Sequence, residues 1–245
     1  MSEQVMLLSS PNSGSDWLAA TVCTAEPTAR YFREYFNPIT NEKHFDLLAT
    51  EFGCETPSTI DQIVRFDDEK SERIYQETWG KDNFNFTKEN YSAFRVPFWT
   101  QRFTCFALTR DVENSFQPSR REWVTTFYDA IYNAMLANID NLPDKTKQQM
   151  RITETTVQRL THKVIMAYVI YQDVLVENCR KHNIPILKWE NLMGDEGLVY
   201  QELEKVPFIA TGAWAKAVLE TRSFKKKSFN QYNFNPQDVL NQLKT

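Results

Sequence analysis

Residues 4 to 17 read Gln-Val-Met-Leu-Leu-Ser-Ser-Pro-Asn-Ser-Gly-Ser-Asp-Trp, and no other stretch restricts the fold as strongly. The apolar run Val5 to Leu8 stops at small polar residues around Gly14, and a helical apolar pattern starts at once with Trp17, Leu18 and Val22. Strand, tight turn and helix in that order predict an α/β unit. A helix entered from such a turn directs its first N–H groups, and the positive end of its dipole, at whatever the turn holds. A phosphate or sulfate suits that position. Ser13 and Ser15 add hydroxyl donors, and Gly14 lets the backbone approach closely. The turn is not a Walker A loop, because G-x-x-x-x-G-K-[ST] is absent. With only six glycines in 245 residues, one placed here carries more information.

Further strand and helix signals alternate along the chain. Phe84 to Thr87 predicts a short strand, Phe103 to Thr109 a central one ending at Arg110-Asp111, and Ile184 to Trp189 another buried one. Helical spacing marks Asp61 to Trp79, Glu122 to Ile139, Asp195 to Lys205 and Gly212 to Arg222, and Thr153 to Lys181 reads as one long helix. Pro27, Pro38 and Pro57 break up an aromatic-rich stretch, residues 27 to 82. There is no internal repeat and no low-complexity linker, so the expectation is one domain over residues 1 to 245. Its architecture is a three-layer α/β sandwich with a central parallel sheet. Ligands of such sheets bind beyond the carboxyl ends of the strands. The segments after Leu8, Thr87 and Thr109 are ends of that kind.

The formal charge of −4 argues against a broad nucleic-acid surface while leaving room for a local basic pocket. No apolar run approaches the ~20 residues that span a bilayer, and Val5 to Leu8 is too short for a signal peptide. A cytoplasmic protein without a membrane partner is expected. Cys23, Cys54, Cys105 and Cys179 are scattered with no C-x-x-C pair, which predicts free thiols and neither a zinc site nor a disulfide framework.

Five segments, in order, resemble the sulfotransferase family. The turn resembles its 5′-phosphosulfate loop, Pro-Lys/Arg-Ser-Gly-Ser/Thr-Thr-Trp-Leu. Pro11, Ser13, Gly14, Ser15, Trp17 and Leu18 match, Asn12 stands where the family has a cation, and Asp16 lies within the loop. Asn41 to Asp46 resembles Lys-Glu-x-His-Phe-Phe, whose glutamate is the general base. Glu42 takes that position, with His44 as the alternative base. Lys88, followed by Tyr91, resembles Glu-Lys-Ser-Pro-x-Tyr-Phe, where the lysine neutralises charge on the leaving oxygen.

Arg110-Asp111 resembles the motif that holds the cofactor's 3′-phosphate, with the serine role at Ser119 or, in another register, at Ser115. Ile184 to Leu192 resembles the strand followed by Tyr-Glu-Asp-Leu, a structural segment. The basic run Arg222, Lys225, Lys226 and Lys227 falls where family members cover the 3′-phosphate, with Lys226 as the representative.

The resemblance implies a fold like those of sulfotransferases and P-loop nucleoside triphosphatases. It also implies transfer of a sulfuryl group from 3′-phosphoadenosine 5′-phosphosulfate (PAPS) to a hydroxyl or amine of a small molecule or glycan, without a metal. Two alternatives stay open. One is a non-catalytic relative that binds nucleotide or a partner; the other is a P-loop kinase-like enzyme, which lacks its lysine here.

Overall fold

The computed structural model describes residues 4–32, 68–79, 84–90, 92–115, 121–222 and residue 239. Its centre is a sheet of five parallel strands: β1 (Val5–Ser9), β2 (Tyr31–Phe32), β3 (Phe86–Glu89), β4 (Thr104–Thr109) and β5 (Ile186–Lys188), in the order β2-β3-β1-β4-β5. Every residue of β1 is buried, as a central parallel strand requires. Side chains alternate between the faces. Val5, Leu7, Phe86, Phe106, Leu108 and Leu187 share one core, whereas Met6, Leu8, Cys105 and Ala107 belong to the other.

The first core is closed by helices α1 (Ser15–Ala25), α8 (Trp189–Leu192), α9 (Glu196–Leu203) and α10 (Thr211–Thr221). The second is closed by α3 (Val96–Thr100), α5 (Arg121–Ala137), α6 (Asp144–Thr156) and α7 (Leu160–Lys181). Helices α2 (Asp68–Trp79) and α4 (Val112–Ser115) complete the described set. The protein is thus a three-layer α/β structure. After β1 the chain enters a helix of the first layer, and after β4 it runs to helices of the second. Between these neighbouring strands the connections diverge, which opens a crevice at their carboxyl ends.

Three elements differ from the sequence expectation. Strand β3 runs Phe86–Glu89 rather than ending at Thr87, so Lys88 lies inside the strand. Helix α6 fills residues 144–156 behind Pro143, a stretch with no strong apolar stripe. The long helix expected from Thr153 to Lys181 is two helices. Val157 and Arg159 are extended (φ −102°, ψ 111° and φ −82°, ψ 126°), separating α6 from α7. The run Thr155-Thr156-Val157 is β-branched, poor helix material, and Val157 turns into the core at 4% exposure. Helix α7 ends where Asn183 adopts φ 54°, and Ile184 N–H returns to the Cys179 carbonyl at 2.9 Å.

Among the described residues no helix is long and apolar enough to cross a membrane. No group of three or more His, Cys, Asp or Glu among them is placed to hold a metal ion. Cys23, Cys105 and Cys179 are free thiols. Burial pushes the Cys179 thiol up to about 12 and Cys105 higher still, so both stay protonated as core residues.

Candidate anion site at the strand ends

The turn between β1 and α1 is built around Gly14, whose φ of +93° is left-handed. A second constraint comes from across the crevice. A Cβ on Gly14 would stand 2.7 Å from Trp189 Cδ1 and 2.8 Å from Nε1, so the indole lies directly against the turn. Only glycine satisfies both demands. The helical ladder begins with Leu18 N–H donating to the Gly14 carbonyl at 3.1 Å. The amides of the preceding turn are those that an α-helix leaves without intrahelical partners. Ser13 lies in the same turn, fully buried, with a hydroxyl that has no hydrogen-bond partner.

Lys88 comes to this turn from the next strand. It pairs in register with Leu7 and shares a face with Phe86, the face covered by α1. Its side chain is 0% exposed, yet its Nζ lies 3.0 Å from Asp16 Oδ1 in the first turn of α1. Burying an ammonium is costly unless a counter-charge meets it. Asp16, 61% exposed, supplies that charge at the rim.

The other turn residues are cross-braced. Asn12 takes φ 65°, a region in which asparagine is enriched among non-glycine residues. Its Nδ2 donates to the Ser115 carbonyl, and its own carbonyl accepts from Arg110 Nη1 at 3.4 Å. Ser15 Oγ donates to Asn90 Oδ1 at 2.8 Å, where Ser9 Oγ also donates at 2.6 Å. Trp17 Nε1 donates to the Thr221 carbonyl at 3.3 Å, fixing α1 to α10.

Arg110 is 5% exposed, with its guanidinium carbon 3.8 Å from the centre of the Trp189 ring. The indole is therefore held between the Gly14 backbone and the Arg110 cation.

Helix α7 supports all three strand ends. Tyr168 Oη lies 2.6 Å from both the Arg110 carbonyl and Ser115 Oγ, and burial pushes its pKa far above the phenol range, so it remains a donor. Gln172 Nε2 donates to the Arg110 carbonyl at 3.0 Å, and its Oε1 accepts from Ser10 Oγ at 3.3 Å. Tyr171 Oη donates to the Asn90 carbonyl at 3.1 Å. From α5, Tyr128 Oη donates to the Pro11 carbonyl at 2.6 Å. Glu190 Oε1 accepts from Asp111 N–H at 3.1 Å and Asn114 Nδ2 at 2.7 Å.

Of the residues singled out from sequence, Asn12, Ser13, Gly14, Ser15, Asp16, Trp17, Lys88, Arg110 and Ser115 all belong to or brace these strand ends. Glu42, His44, Ser119 and Lys226 lie outside the described residues, as does Tyr91. Sequence reasoning missed Trp189, Tyr168 and Gln172. Trp189 sits in the segment read as structural, and the two α7 residues look like an ordinary buried stripe. A cleft of about 630 Å³ between α2 and α3, lined by Glu69, Glu72, Phe94, Phe98 and Arg102, shares no residue with this cluster.

Comparison of the chain with family models, with curated proteins and with solved structures finds no match in any of the three.

Proposed function

We propose that the protein is a sulfotransferase: it binds PAPS with the phosphosulfate over the Gly14 turn and transfers the sulfuryl group to a hydroxyl or amine. One observation carries this reading. A fully buried lysine on β3 brings its ammonium to the first turn of α1, where a helix N-terminus and a left-handed glycine already favour an anion. Sulfuryl transfer needs in-line placement and neutralisation of charge on the leaving oxygen rather than a covalent intermediate, much as phosphoryl transfer does.

In this scheme Lys88 supplies the neutralising charge. The backbone from Gly14 to Asp16, with Ser13, receives the anion. Glu42, with His44 as the alternative, takes the acceptor's proton. The family resemblance gives Arg110 the 3′-phosphate. The contacts of its guanidinium with Trp189 and the Asn12 carbonyl support a different part, that of a positioning residue for the turn.

Titration with 3′-phosphoadenosine 5′-phosphate and with ATP-Mg tests the assignment. The first should bind and raise the melting temperature by mass action, ATP less. Equal shifts, or none with either, would exclude it. Lys88→Ala should lower turnover of labelled sulfuryl donor by roughly a hundredfold or more. Glu42→Gln should lower it by about 10²–10⁴ with nucleotide affinity unchanged, the range for a general base.

A second reading, a relative that binds the nucleotide without catalysing transfer, is favoured by the Asp16 carboxylate already paired with Lys88. Under it, Glu42→Gln and His44→Ala are both silent in the sulfuryl-donor assay while nucleotide binding persists.

A further inference from the structure

An anion site is selective by charge as well as shape, and the charges brought to this crevice are unusual. Among the described residues at the strand ends, the cations Lys88 and Arg110 face the carboxylates Asp16, Asp111 and Glu190. Lys88, the cation nearest the turn, has Asp16 3.0 Å from its Nζ. Glu190 accepts hydrogen bonds from the Asp111 amide and the Asn114 side chain, so it too remains at the crevice. What stays favourable to an anion is the helix N-terminus, worth about half a charge, with the buried Ser13 hydroxyl and the ammonium already half-screened by Asp16. That balance suits a terminal group with one negative charge and penalises one with two, since the second charge meets the Asp16 carboxylate with no further cation to offset it.

We infer that Asp16 is a specificity-determining residue: it tunes the turn to accept the singly charged sulfuryl end of a nucleotide phosphosulfate and to reject the doubly charged terminal phosphate of a nucleoside diphosphate. The inference rests on the proposed function, and deepens it by naming what separates donor from look-alike. The two termini are close in shape. They differ in that a terminal phosphate has a second ionisation near pH ~6 and so approaches two charges at neutral pH, whereas the sulfuryl group retains one. Shape alone would not separate them; a carboxylate beside the site does. Because Asp16 is exposed and at the helix rim, replacing it leaves the core intact.

The experiment measures dissociation constants for adenosine 5′-phosphosulfate and for ADP, at pH 7.5 without divalent metal, on the full chain and on Asp16→Asn, Asp16→Ala and Asp16→Glu. The full chain should prefer the phosphosulfate by at least about tenfold. Asp16→Asn and Asp16→Ala should tighten ADP by about tenfold and the phosphosulfate by less than about threefold, so the preference collapses. Asp16→Glu, which retains the charge, should retain the preference. Agreement between the Asn and Ala variants excludes a new hydrogen bond from the asparagine amide as the cause.

If the full chain binds both ligands and their ratio does not move on substitution, the inference is wrong while the anion site stands. If ADP gains selectively in the variants but 3′-phosphoadenosine 5′-phosphate binds no better than ATP, the role of Asp16 stands and the sulfotransferase assignment falls. If no form binds either nucleotide, both fall together.

Discussion

Gly14 concentrates the constraints of the site in one residue. Its φ of +93° and the Trp189 indole within 3 Å of where a Cβ would stand act independently. Gly14→Ala should therefore destabilise the fold by about 2 to 4 kcal/mol, combining left-handed strain with overpacking. Trp189→Ala in the same chain should recover the overpacking part. Denaturant unfolding of the two single variants and the double variant measures this, and wild-type stability for Gly14→Ala would show that the turn is not held as described.

Arg110 offers a second residue-scale test, because the guanidinium is 95% withdrawn from solvent against Trp189. As a positioning residue it should, on change to Ala, cost 3′-phosphoadenosine 5′-phosphate and adenosine 5′-phosphosulfate the same affinity. A loss of about 1.5 to 3 kcal/mol confined to the first ligand, the range for a hydrogen bond to a charged group, would return Arg110 to the 3′-phosphate.

At the scale of elements, the break between α6 and α7 matters more than either helix alone. Two separate helices let α6 fold back beside α7 and tie to it through side chains. Glu154 on α6 accepts from Lys163 Nζ of α7 at 2.6 Å and from Tyr132 Oη of α5. The Lys163 hydrogen bond first, then the Tyr132 one, holds the Glu154 carboxyl below the usual carboxylate range. A carboxylate whose folded pKa is depressed contributes stability above its unfolded value, and that contribution is lost as pH falls through the folded one.

Glu154→Gln should therefore be destabilising at pH 7 by less than ~1 kcal/mol, since the pair is partly solvated. Its difference from the full chain should fade as pH drops below the carboxylate range. A constant difference from pH 7 to pH 3, followed by thermal unfolding, would mean that packing rather than charge links these helices.

For the whole molecule, what positions the site is a division of labour between the two helical layers. The first layer supplies the anion-receiving turn through α1 and its Trp189 wall. The second supplies α7, whose Tyr168, Tyr171 and Gln172 fasten the ends of β1, β3 and β4 together. The crevice is consequently as rigid as the sheet beneath it. Amide hydrogen exchange should show β1, β4 and the middle of α7 among the slowest amides, opening only on global unfolding. Tyr168→Phe, which removes the bonds to Arg110 and Ser115, should speed exchange at residues 110–115 ahead of β1. Uniform acceleration across the sheet would mean that Tyr168 supports the core and not the loop.

The stretch from Gln4 to Trp17 determined by itself a strand, a tight turn and a helix with an anion-facing start, because period, breaker and cap are all local properties of the chain. The parallel α/β layering was legible for the same reason: β-rich runs alternate with helical spacing. Local pattern could not say that Lys88 would lie inside β3, fully buried, beside Asp16, since that follows from the register of β3 on β1. Nor could it show that Trp189 would wall the turn, or that Tyr168 and Gln172 would leave an ordinary helical stripe to hold two loops. These residues are far apart in the chain and carry no spacing signal. The α6–α7 break lies between the cases: Thr155-Thr156-Val157 announces weak helix, but only the burial of Val157 in the core decides that the helix stops there.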